Sequence, residues 1–106
     1  MAKVFGIHTI ELRSGVKDEE FEKYVLEEVA ALTFEGCQIH LLKGDKGQRV
    51  GKYVLLFEIE SVEARSRAFG APGGPPVEYS EQVVKALEKG RALSMSSFTD
   101  YVVVGE

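Results

Sequence analysis

The chain has no tryptophan, one cysteine, two histidines, two methionines and three prolines in 106 residues. Each scarcity excludes something. A lone Cys37 forms no internal disulfide and holds no iron–sulfur cluster, so a reducing cytoplasm is the expected compartment. It reads instead as a small buried hydrophobe at a strand start. His8 and His40 have no further ligands at metal spacing, so no zinc site is expected. No apolar run approaches the roughly 20 residues needed to cross a bilayer, and the start "MAKVFGIHTIEL" lacks a signal-peptide layout, so no membrane partner is expected. Cations are short as well: 13 Lys and Arg stand against 17 Asp and Glu, a formal charge of −4. Without a basic cluster to displace counterions, nucleic acid is excluded as a partner. The Gly-rich stretches "KGDKGQ" and "APGGPP" are turns rather than phosphate cradles. The first is short and sits in a hairpin; the second contains every proline of the chain and so lacks backbone donors.

What is present is an ordinary globular composition, 44% apolar and 28% charged, consistent with one domain over residues 1–106. "VFGIHTIEL" (4–12) is β-rich and bounded by Arg13-Ser14-Gly15, which predicts a strand. "DEEFEKYVLEEVAAL" places Phe21, Tyr24, Val25, Val29 and Leu32 on one helical face, with Asp18 as N-cap and Gly36 marking the stop. "CQIHLLK" and "VGKYVLLFEIE" predict two strands joined by a hairpin through "GDKGQ". Ser61 caps a helix "VEARSRAF" that the insert "GAPGGPP" ends. From Tyr79 a second helical segment gathers Tyr79, Val83, Val84 and Leu87, and "FTDYVVV" predicts the last strand. The order β-α-β-β-α-β predicts an α+β, ferredoxin-like fold: a four-stranded antiparallel sheet, strand order 4-1-3-2, with helices on one face.

An antiparallel sheet with one wet face alternates apolar and polar residues. The third strand does not: Tyr53, Leu55, Phe57 and Ile59 form one face, while Val50, Val54 and Leu56 occupy the other. Helices cover only one side, and monomers seldom leave a large apolar patch in water. The expected solution is a homodimer built sheet against sheet. Burying about 600 Å² of apolar area there contributes roughly 15 kcal/mol before association costs.

Two stretches carry a resemblance that agrees with this. "GIHTIELRSGVKDEEFEKYVLEEVAAL" resembles the opening of stress-responsive α/β-barrel domains, and "KYVLLFEIESVEARSRAF" is similar to their third strand and second-helix entry. Together they cover roughly half the chain. The resemblance implies membership of the dimeric α/β-barrel superfamily, which also contains antibiotic-biosynthesis monooxygenases, polyketide cyclases of the olivetolic acid cyclase type and boiling-stable ring-forming proteins. It implies a ligand pocket between sheet and helices, with a first-strand His facing it; His8 matches that position. A second pocket His of the cyclases falls at Tyr53. Their His-Pro-x-His stretch falls on Ala71-Pro72-Gly73-Gly74, which keeps the proline and loses both histidines. Heme-degrading members use a pocket Trp, absent here, so no cofactor is expected.

His8 shares a strand face with Val4, Gly6, Ile10 and Leu12, and Gly6 leaves space beside it. On the family's geometry this face meets Tyr53, Leu55 and Phe57. A neutral imidazole there serves as base or as hydrogen-bond donor to a carbonyl or phenol, with Tyr53 a second polar handle. The expected catalytic pair is therefore His8 and Tyr53, with Leu55, Phe57, Phe69 and Tyr79 completing the ligand site. Phe69 and Tyr79 flank the Gly/Pro insert, which reads as a lid over the cavity or as a plain helix break. His40 reads as an edge or interface residue, and Asp100 and Glu58 as solvent or interface charges. Two functions of different class follow. One is a protein holding an apolar small molecule, aliphatic or polyketide-like, either as a binder or as a cofactor-independent monooxygenase or cyclase. The other is a non-catalytic, stress-type oligomeric module with a filled interior.

Overall fold

The computed structural model describes residues 2–105; Met1 and Glu106, the ends of the expected domain span, lie outside them. The elements follow in the order β1 (Val4–Leu12), α1 (Asp18–Tyr24), β2 (Cys37–Lys43), β3 (Tyr53–Ile59), α2 (Val62–Phe69), α3 (Glu81–Leu93) and β4 (Ser94–Val102). They form one four-stranded antiparallel sheet in the order β2-β3-β1-β4, so the chain has the ferredoxin-like α+β fold its pattern predicts. β1 and β3 lie at the centre, each hydrogen-bonded on both sides.

The strand register divides the sheet into two faces. Val4, Gly6, His8 and Ile10 stand opposite Ile59, Phe57, Leu55 and, across on β4, Val102 to Ser96. Val4, Ile10, Tyr53 and Ile59 on this side are buried beneath the helices. The opposite side carries Phe5, Ile7, Val54 and Leu56, partly buried only by one another, beside Leu42 and Tyr101, which are exposed. No helix among the described residues covers it.

The helices differ from expectation in instructive ways. α1 begins after Lys17, whose side chain makes no cap bond; Asp18 is the first helical residue and bonds the Lys43 Nζ at 3.4 Å instead. Asp18 therefore lies one position too late to cap the helix, and its carboxylate faces the strand-borne cation. Past Tyr24 the helix widens into a π-helical turn over Val25–Val29, closed by the Ala30 N–H on the Val25 carbonyl at 2.9 Å. Phe21, Tyr24, Val25 and Val29 are buried as the pattern requires. Ser61 caps α2 as expected, its Oγ accepting from the Ala64 N–H at 3.1 Å, and Ser80 caps α3 the same way from Val83. On α3 the buried residues are Ala86 and Leu93, while Val84 and Leu87 are exposed. The last strand starts four positions before the expected one, with Ser94 leaving α3 directly in extended conformation. Its serines have low β-propensity, but β1 needs a partner along its whole outer edge, and that demand wins. Among the described residues no helix is long and apolar enough to cross a membrane.

Candidate functional site

Between the sheet and the helices lies a cavity of about 640 Å³. Of the residues named in advance, His8, Leu55, Phe57, Phe69 and Tyr79 all line it. Its volume falls within the range of small-molecule sites, and its walls are mostly apolar with a few polar groups.

Gly6 makes room for it. A Cβ at that position would stand 2.9 Å from the Asp100 Oδ1 and 3.3 Å from the Phe57 Cβ. Only a residue without a side chain lets both neighbours lean over the strand. Beside this gap His8 is held between two rings, 4.6 Å from Phe57 and 5.2 Å from Phe98, the latter stacked at 16°. Phe98 is its cross-strand partner on β4, as Leu55 is on β3. The series continues outward: Phe57 meets Phe69 edge-on at 5.7 Å, and Phe69 meets Phe34 at 4.8 Å. A continuous run of rings therefore forms one end of the cavity.

The imidazole of His8 makes no hydrogen bond to any described residue. Burial pushes its pKa below the usual 6.5, with the nearby Asp100 carboxylate pulling the other way. At neutral pH it is an uncharged imidazole whose nitrogens make no protein hydrogen bond and which borders a cavity, the state a general base or a hydrogen-bonding handle needs.

Tyr53 does not join it. The side chain is 2% exposed, packs on Phe21 at 5.1 Å and donates its hydroxyl to Glu22 Oε2. Burial first, and then the Glu22 contact, push its pKa up to about 12. It borders a separate cavity of about 260 Å³ with Asp18 and Lys52 and is absent from the walls around His8. The expected pairing of His8 with Tyr53 is thus not formed; α1 covers the tyrosine first.

Asp100 corrects another expectation. It lies on the helix-facing side, lines the cavity, and bonds Arg65 Nη1 at 3.0 Å. Neither is a solvent charge: the Asp100 side chain is 25% exposed and that of Arg65 15%. Glu58 lies on the opposite face, bonded to Lys3 at 2.8 Å and His40 at 3.3 Å, so the two carboxylates form no pair. His40 takes no part in the cavity, as expected of an edge residue. Cys37 packs against the buried Val4, Ile59 and Ala64, and burial pushes its thiol up to about 11, so it stays protonated and inert.

The Gly/Pro insert answers to a different role from the lid. Residues 71–76 are exposed and none of them lines the cavity. Gly70 ends α2 with φ 87°, and the Gly74 N–H closes a turn on the Ala71 carbonyl at 2.9 Å. The insert breaks the helix so that Phe69 and Tyr79 can both reach the cavity from separate segments. Sequence reasoning missed Phe34, which sits in an irregular segment without periodicity, and the arginines Arg13 and Arg91, which also line the cavity. Their only signal was position: Arg13 directly follows β1, and Arg91 occupies the last turn of α3.

No protein-family model matches this chain, and no curated protein matches it in sequence. Among solved structures it is similar to a dimeric protein of unknown function with a ferredoxin-like fold from Bacteroides fragilis NCTC 9343. That match has 16% identity, covers 95% of this chain and 96% of the other, and has a TM-score of 0.60. It is also similar to a protein from Chloroflexus aurantiacus provisionally described as an antibiotic biosynthesis monooxygenase, at 18% identity, 97% and 95% coverage and a TM-score of 0.56. At such identities the likeness establishes a shared fold.

Proposed function

We propose that this chain is a small-molecule-binding protein that holds an apolar ligand, aliphatic or polyketide-like, between its sheet and helices. The observation that carries the reading is His8: a neutral, unpartnered imidazole clamped between Phe57 and Phe98 at the wall of a 640 Å³ cavity. A filled interior is what a purely structural module needs, and this interior is open.

The geometry suits a definite chemistry. An electron-rich phenol or enol lying against the ring run would be stripped of water, and His8 could take its acidic proton. Asp100, close enough to pull the pKa of His8 upward, favours the imidazolium that results. Removing that proton prepares an electron-rich substrate either for reaction with oxygen without metal or flavin, or for ring closure. The protein from Chloroflexus aurantiacus is described in terms that agree with the first of these.

Two copies, in this reading, associate through the uncovered face of Phe5, Ile7, Val54 and Leu56. Support comes from the apolar character of that face and from the dimeric Bacteroides fragilis protein of the same fold.

Native mass spectrometry of the freshly purified protein, together with titration by the neutral dye Nile red, tests the proposal. The expected result is saturable dye binding and a retained small molecule, released on denaturation, whose affinity falls about tenfold in His8→Ala as one buried hydrogen bond is lost. Absence of any retained molecule combined with no saturable dye binding would overturn it.

A further inference from the structure

The two ends of the cavity differ in chemistry. The inner end is the run of rings through Phe57, Phe69 and Phe34. The other end, where β1 runs out and α3 finishes, is lined by Arg13 and Arg91. Arg13 ties the two elements together: its backbone N–H donates to the Leu93 carbonyl at 2.9 Å, and its Nε donates to the Arg91 carbonyl at 2.6 Å. That leaves both terminal nitrogens of Arg13, and the whole guanidinium of Arg91, without an acceptor among the described residues.

Among the described residues the other arginines, and Lys89 on α3, are not left so. Lys89 is paired with Glu28, Arg49 with Glu11 and Arg65 with Asp100. In a chain with a formal charge of −4, acidic partners are plentiful, yet neither cavity arginine has one. Among the described residues the only carboxylate on the cavity wall, Asp100, is already engaged by Arg65. A guanidinium fork without a partner is shaped for a carboxylate and binds one through two parallel hydrogen bonds.

We infer that the ligand is an amphipathic anion, with a terminal carboxylate held by Arg13 and Arg91 and an apolar body extending past His8 onto the Phe57–Phe69–Phe34 rings. This deepens the binding proposal above and rests on it. Along β1 the backbone from Arg13 to Gly6, which lies beside Phe57, spans roughly 23 Å at about 3.3 Å per residue. An extended acyl or aryl chain with its charge at one end fits that polarity, whereas a short polar acid would leave the rings in contact with water. Both arginines are exposed, so the head group lies at the mouth and its contribution is screened by salt.

The test uses displacement of bound Nile red from the full chain by dodecanoate and by dodecanol, which share a tail and differ in charge. Dodecanoate is expected to displace the dye at about tenfold lower concentration than dodecanol at low ionic strength, an advantage that shrinks as salt is added. Arg91→Gln and Arg13→Gln should each move the dodecanoate affinity toward that of dodecanol. Arg91→Gln leaves the backbone carbonyl used by Arg13 in place, so its effect is not one of unfolding. Equal affinities for acid and alcohol in the native chain would overturn the inference while leaving apolar binding intact. An undiminished preference in both variants would overturn it as well. Failure of the dye to bind, combined with absence of any retained small molecule, would remove the underlying reading.

Discussion

Gly90→Ala is a small change with a large expected consequence. Gly90 lies inside α3, where alanine would ordinarily stabilise the helix by about 1 kcal/mol. Here a Cβ would sit 2.6 Å from the Tyr24 hydroxyl and 3.3 Å from its Cζ, the first roughly 0.8 Å short of ordinary contact at 3.4 Å. Tyr24 cannot simply swing aside. It is 7% exposed, and its hydroxyl donates to the Ala86 carbonyl at 2.6 Å, one turn back along α3. Displacing it sacrifices a buried hydrogen bond, about 1–3 kcal/mol, and overpacks the α1–α3 contact by about 1–3 kcal/mol more. Against the propensity gain the net loss is about 1–5 kcal/mol. Urea unfolding followed by circular dichroism reads it as a lower midpoint at unchanged slope. Tyr24→Phe supplies the decisive comparison, because removing the hydroxyl relieves the overlap. In that background Gly90→Ala should be neutral or stabilising, which makes the two changes strongly non-additive. A Gly90→Ala chain as stable as the native one, or an equal penalty in both backgrounds, would refute the reasoning. Because Tyr24, Ala86 and Gly90 all line the cavity, the same contact sets the height of its roof.

Two further outcomes are expected. Asp100 raises the pKa of His8 while burial lowers it below 6.5, so Asp100→Asn should depress it further. An NMR titration in which the pKa stays or rises would contradict that. The sign for stability follows: the unfolded chain protonates His8 first as the pH drops, so folding weakens below about pH 6.5, and weakens further in Asp100→Asn. On the uncovered face, Leu56 stands opposite Ile7, and Leu56→Glu should convert a dimer to monomers in sedimentation experiments without loss of helix content. A native chain that sediments as a monomer would end the sheet-against-sheet proposal.

Much of the fold was legible because β1, β2 and β3 are made of residues whose local preference and burial agree. The bounds of β1 and β2 follow from Val, Ile, Leu and Phe flanked by Gly and polar turns, whereas β3 starts at Tyr53, three residues after the expected Val50, and Ser61 carries its capping role in its position. The failures came where a distant partner outweighed local chemistry. Asp18 is a local exception: it looks like a cap, yet the helix starts after Lys17 and includes it. Ser94, Ser96 and Ser97 do not look like strand, yet they complete the pairing of β1 from Leu12 to Thr9. The π-helical turn at Val25–Val29 leaves no mark on periodicity short enough to notice.

The site divides along the same line. His8, Leu55 and Phe57 were legible because strand alternation alone fixes which way they point. Tyr53 alternates with them just as faithfully, and the alternation places it correctly on the helix face. What alternation cannot say is which part of that face a helix covers, and α1 seats Phe21 on Tyr53 while leaving His8 free. The difference matters for function. His8 stands on a central strand, where backbone bonds to both neighbours hold it against Leu55 and Phe98. The roof above it is made of helices whose closeness depends on a few contacts such as Tyr24 with Ala86. The arrangement keeps His8 on the hydrogen-bonded sheet and leaves the shape of the cavity to the helices. Changes in α3 should therefore alter which ligand enters before they alter the protonation of His8, and changes in β4 should do the reverse.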